Sequence, residues 1–231
     1  RGPKFLHYRP HVFVIGPVEL DHADLYPDLE AVLTAFRAGA AQVPRDGAVV
    51  VNAWSEGALA AGRGATAPVL TVGEGGGCDL RVASGPGGPG GATAELAWRG
   101  QRQRLTIPVT GAHNLQNAAL AVAAAVAAGC DFAAAVAALA SFPGVARRME
   151  VVGERAGVTV VDDFAHHPTA LAVTIAAARE RWPGRRLVVA FEPRSLTAAR
   201  RDFQGAYLEA LGDADLVLVA APFHADRLAP D

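Results

Sequence analysis

The first apolar run of the chain, His11-Val12-Phe13-Val14-Ile15, is short, β-branched and closed by Gly16-Pro17, which predicts a buried strand followed by a loop. Residues 28–43 then place Leu29, Val32, Leu33 and Phe36 at i, i+3, i+4 and i+7, the spacing of one helical face, and Pro44 stops the helix. A second buried strand follows at residues 48–51 (AVVV), and strand–helix–strand alternation favours a parallel sheet with right-handed crossovers. From residue 68 to 108 the pattern changes to short strands at 69–72, 79–83, 94–98 and 104–109, read as antiparallel. The intervening SGPGGPGG, residues 84–91, is expected to lack regular structure and to be mobile. Two Ala-rich helices come next, at 114–128 and 132–140, with Gly129 near the C-cap of the first.

Composition shifts at Phe142-Pro143-Gly144, where a domain boundary is expected, giving domains of residues 1–143 and 144–231. Beyond it, residues 150–154 and 158–162 flank Ala156-Gly157 as a hairpin, Pro168 sits at the helix position that tolerates it, and residues 187–191 and 216–220 are further buried strands with a helix between. The fold class is therefore α/β: the latter part of one α/β domain followed by the first part of a Rossmann-like, doubly wound one.

The remaining composition narrows the function. Net charge is −2, aromatics are 6 % and basic residues are scattered, so no nucleic-acid partner is indicated. Cys78 and Cys130 have no zinc-ligand spacing, and the most apolar stretch, residues 118–130, is too short to span a bilayer. With no signal-peptide pattern, a reducing cytoplasm is the expected setting, with no membrane partner. The chain does not open on Met, which leads us to expect a fragment.

Four segments carry polar residues where packing alone would not put them. Glu19-Leu20-Asp21-His22-Ala23-Asp24 follows the first strand, at the end of a sheet where ligands bind; it suits a divalent metal or a nucleotide, or else simply a helix N-cap cluster. Asn114 and Asn117, three apart at a helix start, suit an adenine edge, although Asn114 also reads as an N-cap. Arg147-Arg148 at the domain junction could bridge a polyphosphate or be a solvated pair. Asp162-Asp163-Phe164-Ala165-His166-His167-Pro168 collects two acids and two histidines after a strand, with general base, ribose binding and metal ligation all open. Glu192-Pro193-Arg194-Ser195 follows another strand and offers a carboxylate-binding Arg or a salt bridge.

Taken in order, HYRPHVFVIGPVELDHADLYPDLEAV, GAHNLQNAALAVAAA, GVTVVDDFAHHPTA and LVVAFEPRSLTAARRDF resemble the Mur ligases, ATP-dependent amide-bond-forming enzymes of the bacterial cell wall. The spelling DDFAHHPT followed by EPRS is similar to the peptidoglycan-recycling branch, which joins the murein tripeptide L-Ala-γ-D-Glu-meso-diaminopimelate to UDP-N-acetylmuramate, more than to the alanine-adding branch. The resemblance implies ATP and Mg2+ as cofactors and an acyl-phosphate intermediate. It implies that His22 is associated with magnesium, Asn114 and Asn117 lie near the adenine, Arg148 reaches ATP and Asp163 binds the ribose. His166 and His167 are the implied catalytic candidates, with Arg194 and Ser195 towards the acceptor. Two departures stand out. Gly16-Pro17-Val18-Glu19 lacks the family's Asn before the Glu, and Lys4, the only lysine, is followed by Phe5, so no phosphate-loop lysine is present. The 231 residues alone are expected not to catalyse ligation, and a non-catalytic nucleotide-binding module is the alternative outside the enzyme class.

Overall fold

The computed structural model describes residues 3–22, 25–194, 198 and 200–221. Its first part is a six-stranded sheet whose spatial order follows the sequence: β1 (Val12–Ile15), β2 (Ala48–Asn52), β3 (Val69–Gly73), β4 (Leu80–Ser84), β5 (Ala92–Trp98) and β6 (Gln101–Ile107). The first three strands are parallel, as the strand–helix–strand rhythm predicts, with α1 (Leu29–Ala41) and α2 (Glu56–Gly62) as crossovers. The apolar run of β2 is buried on both faces, as a central parallel strand requires. Val49 and Val51 face Val32, Leu33, Ala58 and Ala61 of α1 and α2. Val50 faces the other way, towards Leu115, Ala119 and Val122 of α3 (Ala112–Ala127). Phe132 and Val136 of α4 (Phe132–Ala138) complete that layer. Each large aliphatic side chain so buried contributes about 1.5–3 kcal/mol, and the alanines let α3 approach the sheet closely.

Three local readings change. Residues 69–83 were expected to be antiparallel, yet β3 and β4 run parallel, with Val72 opposite Leu80 and Gly73 opposite Arg81. Asp79 explains it: its carboxylate accepts from the amide and hydroxyl of Thr71, both at 2.8 Å, drawing the chain back along β3 before β4 begins. Within this sheet the antiparallel pairs are β4–β5 and β5–β6. The 84–91 segment is not structureless: Gly88 and Gly91 form a bridge, and the Gly85 amide bonds to the Thr93 carbonyl at 2.8 Å, extending the β4–β5 hairpin into a closed turn. The short helix α2 went unread because its 7 residues are too few to show periodicity.

The second part holds a hairpin of β7 (Glu150–Arg155) and β8 (Val158–Asp162), then α5 (Pro168–Arg181), β9 (Val188–Phe191), α6 (Gln204–Leu211) and β10 (Leu216–Val219). The hairpin turns on Ala156 and Gly157, with φ of 50° and 77°, the left-handed pair that a two-residue connection demands. β9 and β10 are parallel, and Leu171, Ile175, Phe191, Tyr207 and Leu211 form the core between them and the helices. The hairpin adds little to that core, since Val152 is 66 % and Val158 61 % exposed. Arginines hold it instead: Arg181 donates to the Met149 carbonyl at 2.8 Å, and Arg185 to the Thr159 hydroxyl at 2.8 Å and the Gly157 carbonyl. Arg179 ties the same helix to Asp215 at 2.9 Å; this bond, with the Leu187 amide, holds the Asp215 carboxyl below its usual range. No helix among the described residues is long and apolar enough to cross a membrane.

Ser55 is a checkable joint. Its hydroxyl oxygen accepts from Ala58 N, capping α2, and from Val18 N, fixing the loop after β1, both at 3.1 Å. Ser55→Ala is expected to cost about 1–2 kcal/mol, read as a lower urea midpoint with unchanged slope.

Candidate active site

The C-terminal ends of β1 and β2 and the N-termini of α3 and α5 meet at one edge of the larger sheet. Val18, held by Ser55 and seated against Gly57, aims the following residues outward. His22 turns the chain with φ 52°, and its carbonyl accepts from Leu25 at 2.7 Å and Tyr26 at 3.0 Å. This loop meets the start of α5, 150 residues away: Thr169 donates its hydroxyl to Glu19 at 2.7 Å. The Nδ1 of His167 lies 3.2 Å from the same Glu19 oxygen, and its Nε2 lies 3.3 Å from the Leu20 carbonyl. His166 stands 3.8 Å from Asp21 and uses Nδ1 on the Phe164 carbonyl at 3.0 Å. The first and fourth chemical segments therefore form one cluster.

The second and third segments meet beside it. A cavity of about 300 Å³ is lined by residues that include Thr110, Asn114, Gly144, Arg148 and Arg181. Asn114 is half-buried and donates to the Thr110 carbonyl at 2.7 Å, while Asn117, one turn on, is exposed and absent from the lining. The connection carrying Arg148 is tightly bent, with φ of 88° at Gly144, 59° at Arg147 and 51° at Met149. Asp163 holds that bend: its carboxylate accepts from Met149 N at 2.8 Å and from Ala165 N at 2.7 Å. Both guanidiniums of the Arg147-Arg148 pair stack on the Phe164 ring, at 5.0 Å and 5.6 Å, and Arg147 also pairs with Asp162 at 3.2 Å. Asp163 is thus engaged on both oxygens, although each retains a lone pair for a ribose hydroxyl.

His22 is exposed, and no group of three His, Cys, Asp or Glu side chains converges as metal donors among the described residues. Mg2+ commonly takes only one or two protein ligands, chiefly carboxylates, with phosphate and water oxygens completing the shell, so by donor chemistry Asp21 suits a partial site better than the imidazole of His22 beside it. Arg194 pairs with Glu192 at 2.9 Å just past β9; Ser195 lies outside the described residues. A separate cavity, about 580 Å³, lies at Leu6, His7, Arg9, Gln42 and Pro44 and contains none of the candidate residues.

Two residues of interest escaped the sequence reading. Asn52 ends β2 fully buried; its Oδ1 accepts from Trp54 N at 2.8 Å, and its Nδ2 has no partner among the described residues. The signal was present in AVVVN, a polar residue closing an apolar strand. His113, hidden beside the more conspicuous asparagines, packs against Gly111 with a buried Nδ1 that has no partner among the described residues. Burial lowers its pKa, Asp163 opposes that shift and Arg148 adds to it.

The chain matches the Mur ligase middle domain over residues 4–125 and the Mur ligase glutamate ligase domain over residues 147–230. A UDP-N-acetylmuramate–L-alanine ligase of Paenarthrobacter aurescens is 40 % identical over 220 residues, covering 93 % of this chain and 47 % of that protein. The crystal structure of the UDP-N-acetylmuramate–alanine ligase of Thermotoga maritima superposes with a TM-score of 0.75 at 24 % identity, covering 96 % of this chain and 48 % of that one. A murein peptide ligase of Psychrobacter arcticus superposes with a TM-score of 0.66 at 29 % identity, covering 94 % and 44 %. The chain thus spans about half the length of the curated relatives it matches.

His113 generates a pH prediction. Burial favours its neutral ring, so below the ordinary value of 6.5 the unfolded chain takes up a proton that the folded one resists. Stability is held above that pH and falls as pH drops through the window beneath it. Urea midpoints at pH 7.5 and about pH 5.5 are expected to differ less in His113→Gln than in the unaltered chain.

Proposed function

The chain belongs to the Mur ligase family, and from that premise we propose that it supplies the nucleotide-binding and acceptor-binding parts of a UDP-N-acetylmuramate–L-alanine ligase of peptidoglycan synthesis. The carrying observation is the 40 % identity, over 93 % of the chain, to a protein of that name. The relatives back this reading better than the recycling ligase that the DDFAHHPT and EPRS spelling suggested. The recycling ligase stays as the second reading, favoured by that spelling and by the 29 % identical murein peptide ligase.

In the proposed reaction the γ-phosphoryl group of ATP passes to the lactyl carboxylate of UDP-N-acetylmuramate, releasing ADP. The amine of the incoming L-alanine attacks the acyl phosphate, an amide forms, and inorganic phosphate leaves. The cavity between α3 and the β7 connection suits the nucleoside, with the Asn114 amide reading the base and Asn117 at its rim. Arg148, stacked and therefore oriented, offers a fork of donors to phosphate, and Asp163 accepts from the ribose. Mg2+, when bound at Asp21 and His22 together with the nucleotide phosphates, neutralises charge on the transferred group. His166 faces the acceptor side, with Arg194 and Ser195 as further candidates for the amino-acid carboxylate.

The test grafts these 231 residues in place of the matched segment of the Paenarthrobacter aurescens relative. Phosphate release is then measured with UDP-N-acetylmuramate and either L-alanine or the tripeptide. Alanine-dependent release at least about tenfold above tripeptide-dependent release supports the proposal; the reverse establishes the second reading, and no release with either sinks both. In an active graft, Asn114→Ala is expected to raise KM for ATP about tenfold, the loss of one well-placed polar contact.

A further inference from the structure

The tandem histidines are not equivalent. His167 is the N-cap residue of α5, yet its side chain makes no capping bond. Its ring crosses instead to the loop after β1, where Nδ1 meets the Glu19 carboxylate and Nε2 the Leu20 carbonyl. Phe203 closes on it edge-to-face at 5.9 Å. The side chain is 16 % exposed, against 35 % for His166. A ring whose two nitrogens both face acceptors on the neighbouring domain has no free position from which to move a proton to a substrate.

The contacts around it support a mechanical role. Thr169 donates to the Glu19 oxygen that His167 also meets, and Pro168 between them fixes the backbone at the first turn. Further along α5, Thr110 reaches the Ala177 carbonyl at 3.5 Å, Gly111 admits the Ala177 methyl, and Gly87 of the glycine turn lies directly under Glu180. The helix therefore meets the middle domain near its start, in its third turn and near its end. The bonds at its start are the most directional of these contacts.

We propose that His167 is an interdomain positioning residue: by gripping Glu19 and Leu20 it seats the first turn of α5, and with it Asp163 and His166, over the sheet edge. The proposal rests on the functional reading above and gives a structural role to one of the two histidines that the family resemblance offered as catalytic. Its test needs no turnover, so the failure of either can be told from failure of the other.

The measurement is amide hydrogen exchange on the 231-residue chain, followed in segments 16–22 and 167–171. His167→Ala and Glu19→Ala are each expected to speed exchange about tenfold in both segments, and the double variant by clearly less than the product of the two, because both remove the shared Glu19–His167 contact while each also frees one partner of its own, Leu20 or Thr169. His167→Gln, which keeps a donor for Leu20, should recover to within about threefold of the unaltered chain. Additive effects in the double variant, effects confined to the mutated side, or no recovery in His167→Gln would each overturn the proposal. If His167→Ala does not fold, His167→Phe keeps a ring against Phe203 and loses both ring nitrogens, and faster exchange across both segments supports the proposal while its absence overturns it.

Discussion

The carboxylate of Asp163 is the constraint on which the site edge depends. One oxygen accepts from Met149 and holds the bent connection that carries Arg148; the other accepts from Ala165 and turns the chain out of β8 towards the histidines. Without the first bond, the left-handed backbone at Arg147 and Met149 loses its compensation. Without the second, His166 and His167 have no fixed departure from the strand. An aspartate so placed serves structure and chemistry at once, and a lone pair on each oxygen remains for a ligand.

The two parts of the molecule reach stability by different means. The larger sheet is an ordinary α/β sandwich, with Val49, Val50 and Val51 dividing between two helical layers. The β7–β8 hairpin exposes its valines and is held by guanidinium bonds from Arg181 and Arg185 to its backbone and to Thr159. Such bonds fix direction while burying little surface, so the hairpin follows α5 wherever that helix is seated. The contacts between α5 and the first part are likewise polar or between small residues, including Glu19–Thr169, Thr110–Ala177 and Gly87–Glu180. This is the composition of an interface that separates at modest cost.

The sequence showed most clearly what periodicity and strand ends reveal. The β-branched runs of β1 and β2, the helical face of α1 and the Ala-Gly turn of the hairpin are local signals, and the structure carries them with small shifts at their ends. The direction of β4 was not legible, because it depends on Asp79 bonding back to Thr71, a contact invisible to any pattern of hydrophobicity. His113 and Asn52 matter through burial without a partner, which a sequence does not display. The clustering of Glu19 with His167 could be suspected from their strand-end positions, but the division of labour between His166 and His167 follows only from where each ring nitrogen points. The choice between alanine and tripeptide branches rested on a few residues in DDFAHHPT and EPRS, and similarity over the whole chain weighs the other way.

We propose above that residues 110–117, 144–149 and 162–167 form one nucleotide-facing site between the two domains. Titrating the chain with a non-hydrolysable ATP analogue at millimolar concentration, while following backbone amides by NMR, tests it most directly. Concerted shifts at residues 110–117, 144–149 and 162–167, saturating with one affinity, are the expected result. Shifts confined to one of these segments, or none at all, would contradict it.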